Sequence, residues 1–382
     1  MNSAIIVVIL VICAIGAGFY AYSRSGRNEK IKFWKQLAER YELKVNKPKD
    51  PFDLVLSGEY RGVECKAWLG GGHAGAPLAI CSHVRINISG TTPPGFDVTS
   101  RKMSERMSRG KKSGAQIELG VSELDNHYNV QGRAPRKVRQ MVTDEEVATL
   151  LMRASKLCDY VHITSKYVVL EYVGVAAENL AEMFELAARL GVSIGDAYER
   201  PYQNLAKSLG VVLVGSGKED RILRGRNREV RLMIRSRISR KQGQGFTTQV
   251  RAGIESGLPA SLRIVPRDPS HAGQSEVQIR DAEFSQMVFI RGIKAQQMDA
   301  ILRFPDVRMG LMNVFRTSDK ATIEMGEIIL EWNDILGNEL TEVIEQVVGL
   351  VHLMREVHKK LQGAQKRVAA QEAAAESSEA DS

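Results

Sequence analysis

No local signature of catalysis occurs in this chain. There is no Gly-x-Ser-x-Gly elbow, no His-Glu-x-x-His helix and no paired-carboxylate pattern. His127, His162, His271, His352 and His358 are scattered, and His352 and His358, six apart on a helix, do not share a face. Aromatic residues make up 6% of the sequence, so its basic stretches lack the interleaved rings that stack on bases, which disfavours nucleic acid. The four cysteines, Cys13, Cys65, Cys81 and Cys158, form no dense framework. That excludes a disulfide scaffold and suits a reducing compartment.

Charge is absent too from Met1–Ser23, where Ala4–Tyr22 is almost wholly apolar. As a helix this run would span about 28 Å, close to the hydrocarbon thickness of a bilayer. A cleaved signal peptide would need basic residues before a shorter apolar core, and none precede it here. Arg24, Arg27, Lys30, Lys32 and Lys35 all follow the run. The sequence thus predicts a single-pass anchor with its N-terminus outside and the bulk of the chain cytosolic.

What the sequence does hold is a repetition. Residues 159–174 read DYVHITSKYVVLEYVG, and 319–334 read DKATIEMGEIILEWND. Glu123–Leu190 and Glu283–Leu350 align without a gap at an offset of 160, with 13 identities in 68 pairs. Unrelated sequences would match at roughly one pair in sixteen. Upstream the offset becomes 168 at Leu37-Ala38 and 167 at residues 57–63.

Each unit reads as helix, antiparallel strands, helix, hairpin, helix. The spacing predicts helical core faces at Phe33, Leu37 and Tyr41, at Val147, Leu150, Leu151, Ala154 and Leu157, and at Leu180, Met183, Phe184, Ala187 and Leu190. The second closing helix carries Leu340, Val343, Ile344, Val347, Val351 and Met354. Thr143-x-x-Glu146 reads as a capping box, and Pro305 sits where a first helical turn tolerates proline. Hairpins are expected about Ser165-Lys166 and Met325-Gly326.

The fold class expected is α+β: an N-terminal transmembrane helix, then two tandem related units, each an antiparallel sheet with flanking helices. The bounds are an anchor over 1–23, a basic segment over 24–32, units over 33–195 and 196–362, and a disordered tail over 363–382. Gly120, Leu124-Asp125, Tyr128, Val130 and Gly132 resemble a strand-turn-strand pattern in uncharacterised bacterial membrane-anchored proteins. The resemblance covers a short segment of each unit and implies no activity. The copy departs from it with Ser285 where Asp125 stands.

Three stretches invite chemistry. LVGSGKED (213–220) has Val212 in place of the first glycine of a phosphate loop and Glu219 after the lysine, so it reads as a turn. Cys65, His73, Cys81 and His83 fall within a short span, but the zinc patterns rely on paired ligands two to four apart. Neither a metal nor a cofactor is expected.

The third stretch is Arg221–Lys241. It holds Arg221, Arg224, Arg226, Arg228, Arg231, Arg235, Arg237, Arg240 and Lys241 against the single acid Glu229, a balance of +8 that equals the net charge of the whole chain. A second basic cluster, Arg101 to Lys112, lies in a Gly/Ser/Pro-rich insertion. A solvated face accounts for such runs, but on a membrane-tethered domain anionic headgroups are close by. The expectation is a non-catalytic interaction or scaffold protein whose basic patch meets anionic lipid or an acidic protein. The alternatives are an amphiphile-binding protein, or an enzyme whose site has no local motif.

Overall fold

The computed structural model describes residues 32–46, 54–60, 62–71, 80–88, 92–101, 116–174, 177–216, 220–238, 245–254, 258–259, 261–271, 274–335 and 337–380. The expected anchor lies outside them. Among the described residues no helix is long and apolar enough to cross a membrane.

The protein is mixed α+β, with two antiparallel sheets of eight strands and flanking helices. The chain divides into two compact units between Tyr198 and Glu199. The first contains helix α1 (32–40), strands β1 (Lys44–Val45), β2 (Val55–Tyr60), β3 (Val63–Gly71), β4 (Ile80–Asn87) and β5 (Asp97–Ser100), then helix α2 (Ser122–His127). It continues with β6 (Tyr128–Gln131), α3 (Pro135–Val142), α4 (Glu145–Leu157), β7 (Tyr160–Thr164) and β8 (Tyr167–Val173). Helix α5 (Ala177–Leu209) starts in the first unit and ends in the second.

The second unit has β9 (Val211–Ser216), β10 (Asp220–Asn227), β11 (Val230–Ile238), β12 (Phe246–Gly253), β13 (Arg263–Pro266), α6 (Ala282–Met287) and β14 (Val288–Arg291). It closes with α7 (Ala295–Leu302), α8 (Pro305–Thr317), β15 (Lys320–Glu324), β16 (Glu327–Asn333) and α9 (Gly337–Ala380). The strand order is β1-β2-β3-β4-β8-β7-β5-β6 in one sheet and β9-β10-β11-β12-β16-β15-β13-β14 in the other. These are one arrangement built twice, and from α2 to β8 every element recurs 160 residues later with the same bounds.

Each unit folds around its own core because two periods meet there. Alternate residues of β3 and β4 point inward, burying Cys65, Ala67 and Leu69 with Val84 and Ile86. The helical stripe Leu180, Met183, Phe184, Ala187 and Leu190 covers them. In the second unit Leu340, Ile344, Val347 and Val351 cover Leu232, Ile234 and Val250 in the same way. Burying one such side chain contributes roughly 1.5–3 kcal/mol, so these stripes set the fold.

The polar letters kept in both units also hold the fold. The Asp159 carboxylate accepts the Val173 N–H at 2.8 Å, and its counterpart Asp319 accepts that of Asn333 at 2.5 Å, each closing its hairpin. Glu185 accepts the Tyr60 hydroxyl at 2.9 Å, while Glu345 pairs with Arg228 at 3.1 Å. Each glutamate ties the closing helix to the equivalent hairpin of its own unit, β2–β3 in the first and β10–β11 in the second.

Three expectations change. The strand-turn-strand segment is instead a short helix, α2, leading into β6. Ser122–His127 has no β-branched residue, and the Asp125 carboxylate accepts the Leu119 and Gly120 N–H groups at 3.0 Å, shaping the turn before the helix. In the copy, Asp281 caps α6 by accepting the Phe284 N–H at 3.0 Å, so Ser285 need not act as Asp125 does. The capping box does not form: the Thr143 hydroxyl donates to the Arg139 carbonyl at the end of α3, and Asp144 is the N-cap of α4. Finally, α9 runs to Ala380, through the stretch read as a disordered tail. Its Ala, Glu, Gln, Lys and Arg residues are strong helix formers, which outweighs the missing apolar face.

Candidate anionic-partner surface

The basic stretch becomes the β10–β11 hairpin, joined at Arg228-Glu229 with both residues at positive φ, 44° and 67°. This is the two-residue turn whose twist matches the strands. The first unit keeps Gly62 at the position of Glu229, with φ 76°.

Alternation then sorts the arginines. Val230, Leu232, Ile234 and Ile238 are buried, so Arg231, Met233, Arg235 and Arg237 lie on the outer face of the sheet. Register adds Ile222, Arg224 and Arg226 from β10 beside them. Arg221 departs from the patch. It shares the inward parity of Leu223, is 1% exposed, and its guanidinium is held by both carboxylate oxygens of Glu199, the Nε–Oε2 contact being 3.2 Å. Ser236 and Thr248 are buried on the same inner face. Where the second unit has Tyr202, Arg221 and Ser236, the first has Trp34, Leu54 and Leu69, all buried. Arg240 and Lys241 lie outside the described residues, as do Lys102 to Lys112 of the other basic cluster.

Acids from the hairpin itself and from β16 temper the outer face. Asp220 lies 2.6 Å from Arg235 and 3.8 Å from Arg237, and Glu327 lies 2.8 Å from Arg231. Arg224 is exposed and pairs with no described acid. On the outer faces of β9–β11, five arginines (224, 226, 231, 235 and 237) face one acid, Asp220, leaving a balance of +4. The surface is smaller and less positive than the sequence reads, but it remains basic. Strand β9 edges it, with Val212 67% and Val214 57% exposed.

The outer face of the first sheet differs. Its cross-strand row Trp68, His83, Glu171 and Tyr160 stands where the second sheet has Arg235, Gln249, Glu331 and Lys320. Only the glutamate is kept. His83 is fully buried, stacked on Trp68 at 4.9 Å, with Nδ1 3.4 Å from the Glu171 carboxylate. Burial, and then Glu171, push the Cys81 thiol up to about 11, so it stays protonated at neutral pH and is a poor nucleophile.

Cys65 pairs in register with Ile86 and points into the core, whereas Cys81 and His83 share the opposite face. The candidate metal ligands therefore do not converge, and His73 lies outside the described residues. Among the described residues no group of three His, Cys, Asp or Glu is placed to hold a metal. Sequence reasoning also missed an outer-face pair, His162 and Asp97, 2.9 Å apart. Burial would raise the Asp97 carboxyl, but hydrogen bonds from His162 and Thr99 outweigh it and hold the group below the usual range.

Val211–Ser216 and Asp220 show the LVGSGKED segment as the end of one strand and the start of its antiparallel neighbour. In the second unit a cleft of about 720 Å³ opens between α7, residues 258–259 and the stretch His358–Ala369 of α9. Leu258, Ile293, Ala300, Leu361 and Val368 line it, with His358 among the polar groups.

No family model matches the chain, and no curated protein does. A solved structure, titled the crystal structure of the mycobacterial trehalose monomycolate transport factor A, TtfA, aligns with 44% of this chain and 92% of its own at 9% identity and a TM-score of 0.29, a likeness too slight to carry any inference.

Proposed function

We propose that this is a membrane-anchored, non-catalytic interaction protein, and that the outer face of β9–β11 in its second unit is the surface that meets an anionic partner. The observation that carries the reading is the sorting of five arginines onto the outer face of β9–β11, where Asp220 is the one acid of those strands and Glu327 reaches Arg231 from β16. The uncharged run 4–22, followed closely by Arg24, Arg27, Lys30, Lys32 and Lys35, supports an anchor that leaves both units in the cytosol. Duplicated cores with diverged outer faces favour recognition over chemistry, because the two copies share architecture and not a constellation of reactive groups.

A chain begun at residue 32 is expected to be soluble, folded and bound to vesicles rich in anionic lipid, with salt releasing it. Changing Arg224, Arg226, Arg231 and Arg237 to serine should weaken that binding roughly 100-fold or more, at about 1 kcal/mol per arginine. Co-sedimentation measures it. Aggregation without the anchor, or binding that survives the four changes, sinks the reading.

A second reading, an amphiphile-binding protein, is favoured by the cleft beside α7, whose size falls within the usual range for small-ligand sites. It expects an amphiphile to accompany the gently purified protein in its native mass spectrum. A spectrum showing the protein alone, together with no uptake of added fatty acid, would count against it.

A further inference from the structure

The edge of the basic face is apolar, and the combination points to a particular use. Val212 and Val214 are the two outward side chains of β9, at 67% and 57% exposure. Val212 lies directly opposite Arg224 in the β9–β10 ladder. Val214 sits at an irregularity of that ladder: Leu213 pairs with Leu223 and Gly215 with Ile222, leaving Val214 as the extra residue. Such bulges bend an edge strand and re-aim its side chains. Met233 and Ile222, partly buried on the same outer face, continue the apolar strip inward between the arginines.

A cytosolic surface has little reason to show adjacent valines to water. The described edge of the first sheet, β1, is Lys44–Val45, with the lysine exposed. An acidic protein partner would be matched by the arginines but would leave the valines wet. The lipid–water boundary answers both, since apolar side chains enter among the headgroups while flanking arginines hold the phosphates.

We infer that the β9 edge is a bilayer-docking edge: Val212 and Val214 enter an anionic leaflet, with Arg224, Arg226, Arg235 and Arg237 on its headgroups. This rests on the reading of the basic face given above and names its partner as an anionic membrane surface.

The full chain is tested after reconstitution in vesicles, with Cys13→Ser and Val214→Cys bearing an environment-sensitive fluorophore. Val212→Cys serves as a second site, and circular dichroism confirms that each variant is folded. A parallel probe at Arg237→Cys reports on the basic face alone. The expected result is a blue shift at 214, and quenching by spin-labelled lipid, in anionic but not in neutral vesicles. Serine at Arg224 and Arg226 should abolish both signals.

If the probe at 237 responds to anionic lipid while those at 212 and 214 do not, edge insertion is overturned and the basic surface stands. Silence at all three positions removes both. A shift at 214 that follows protein concentration and ignores lipid assigns the edge to a second copy of the chain, which also overturns the inference.

Discussion

Replacing Gly292 with alanine is expected to cost about 3 kcal/mol or more. Gly292 has φ 77°, and a Cβ there would fall 1.8 Å from the Ser261 carbonyl oxygen and 2.4 Å from its carbon. Those are backbone atoms, so no rotamer change relieves the clash. The Ser261 hydroxyl also donates to the Gly292 carbonyl at 2.7 Å, fixing the two segments together. Gly326, at φ 73° with nothing within 4 Å of the added carbon, supplies the control. Gly326→Ala should cost only the left-handed penalty, about 1 kcal/mol. Denaturant unfolding of the second unit measures both. Equal costs at the two positions would refute the role given to the clash. The counterpart glycine, Gly132, is needed for another reason: its Cβ would meet the Val138 side chain at 2.6 Å.

Removal of the Glu199 carboxylate should be comparably costly. Glu199→Ala leaves Arg221, whose side chain is 2% exposed, without the acid that pairs with it. Breaking such a pair from one side typically destabilises by about 3–5 kcal/mol. The same chain shows the apolar solution, since Leu54 occupies the equivalent place in the first unit at 0% exposure. Arg221→Leu combined with Glu199→Ala should therefore recover most of the loss. A double-mutant cycle by urea unfolding gives the coupling between the two sites. If the double variant is no more stable than Glu199→Ala alone, the pair is not the source of the effect.

Much of the architecture was legible because it rests on periods. Leu180 to Leu190 and Leu340 to Val351 show their helical stripes directly, and both hairpins form where their turn residues stand. The insertion of β8 between β4 and β7 was not legible, because strand order depends on pairings far apart in sequence. The basic patch was legible as a count and not as a surface. Counting nine positive residues says nothing of Asp220, Glu327 or Glu345 beside them, and Glu327 and Glu345 lie about a hundred residues downstream. One signal was available: alternation from Leu223 already turns Arg221 inward, away from any partner. The capping box failed for a local reason, since Thr143 still belongs to the end of the preceding helix.

Helix α5 hands the chain from one unit to the next, because its last turns, with Tyr202, Leu205 and Leu209, are themselves part of the second core. Carried forward by the repeat offset, those three positions become Gln362, Gln365 and Ala369, all exposed on α9. Helix α9 thus runs as far past its own core as α5 does and carries no such apolar stripe there. The stripe that Tyr202, Leu205 and Leu209 give to the second core is therefore replaced on α9 by two amides and an alanine. Leucine at 362, 365 and 369 would place an apolar stripe on this exposed stretch of α9. Self-association of the leucine variant would report that stripe.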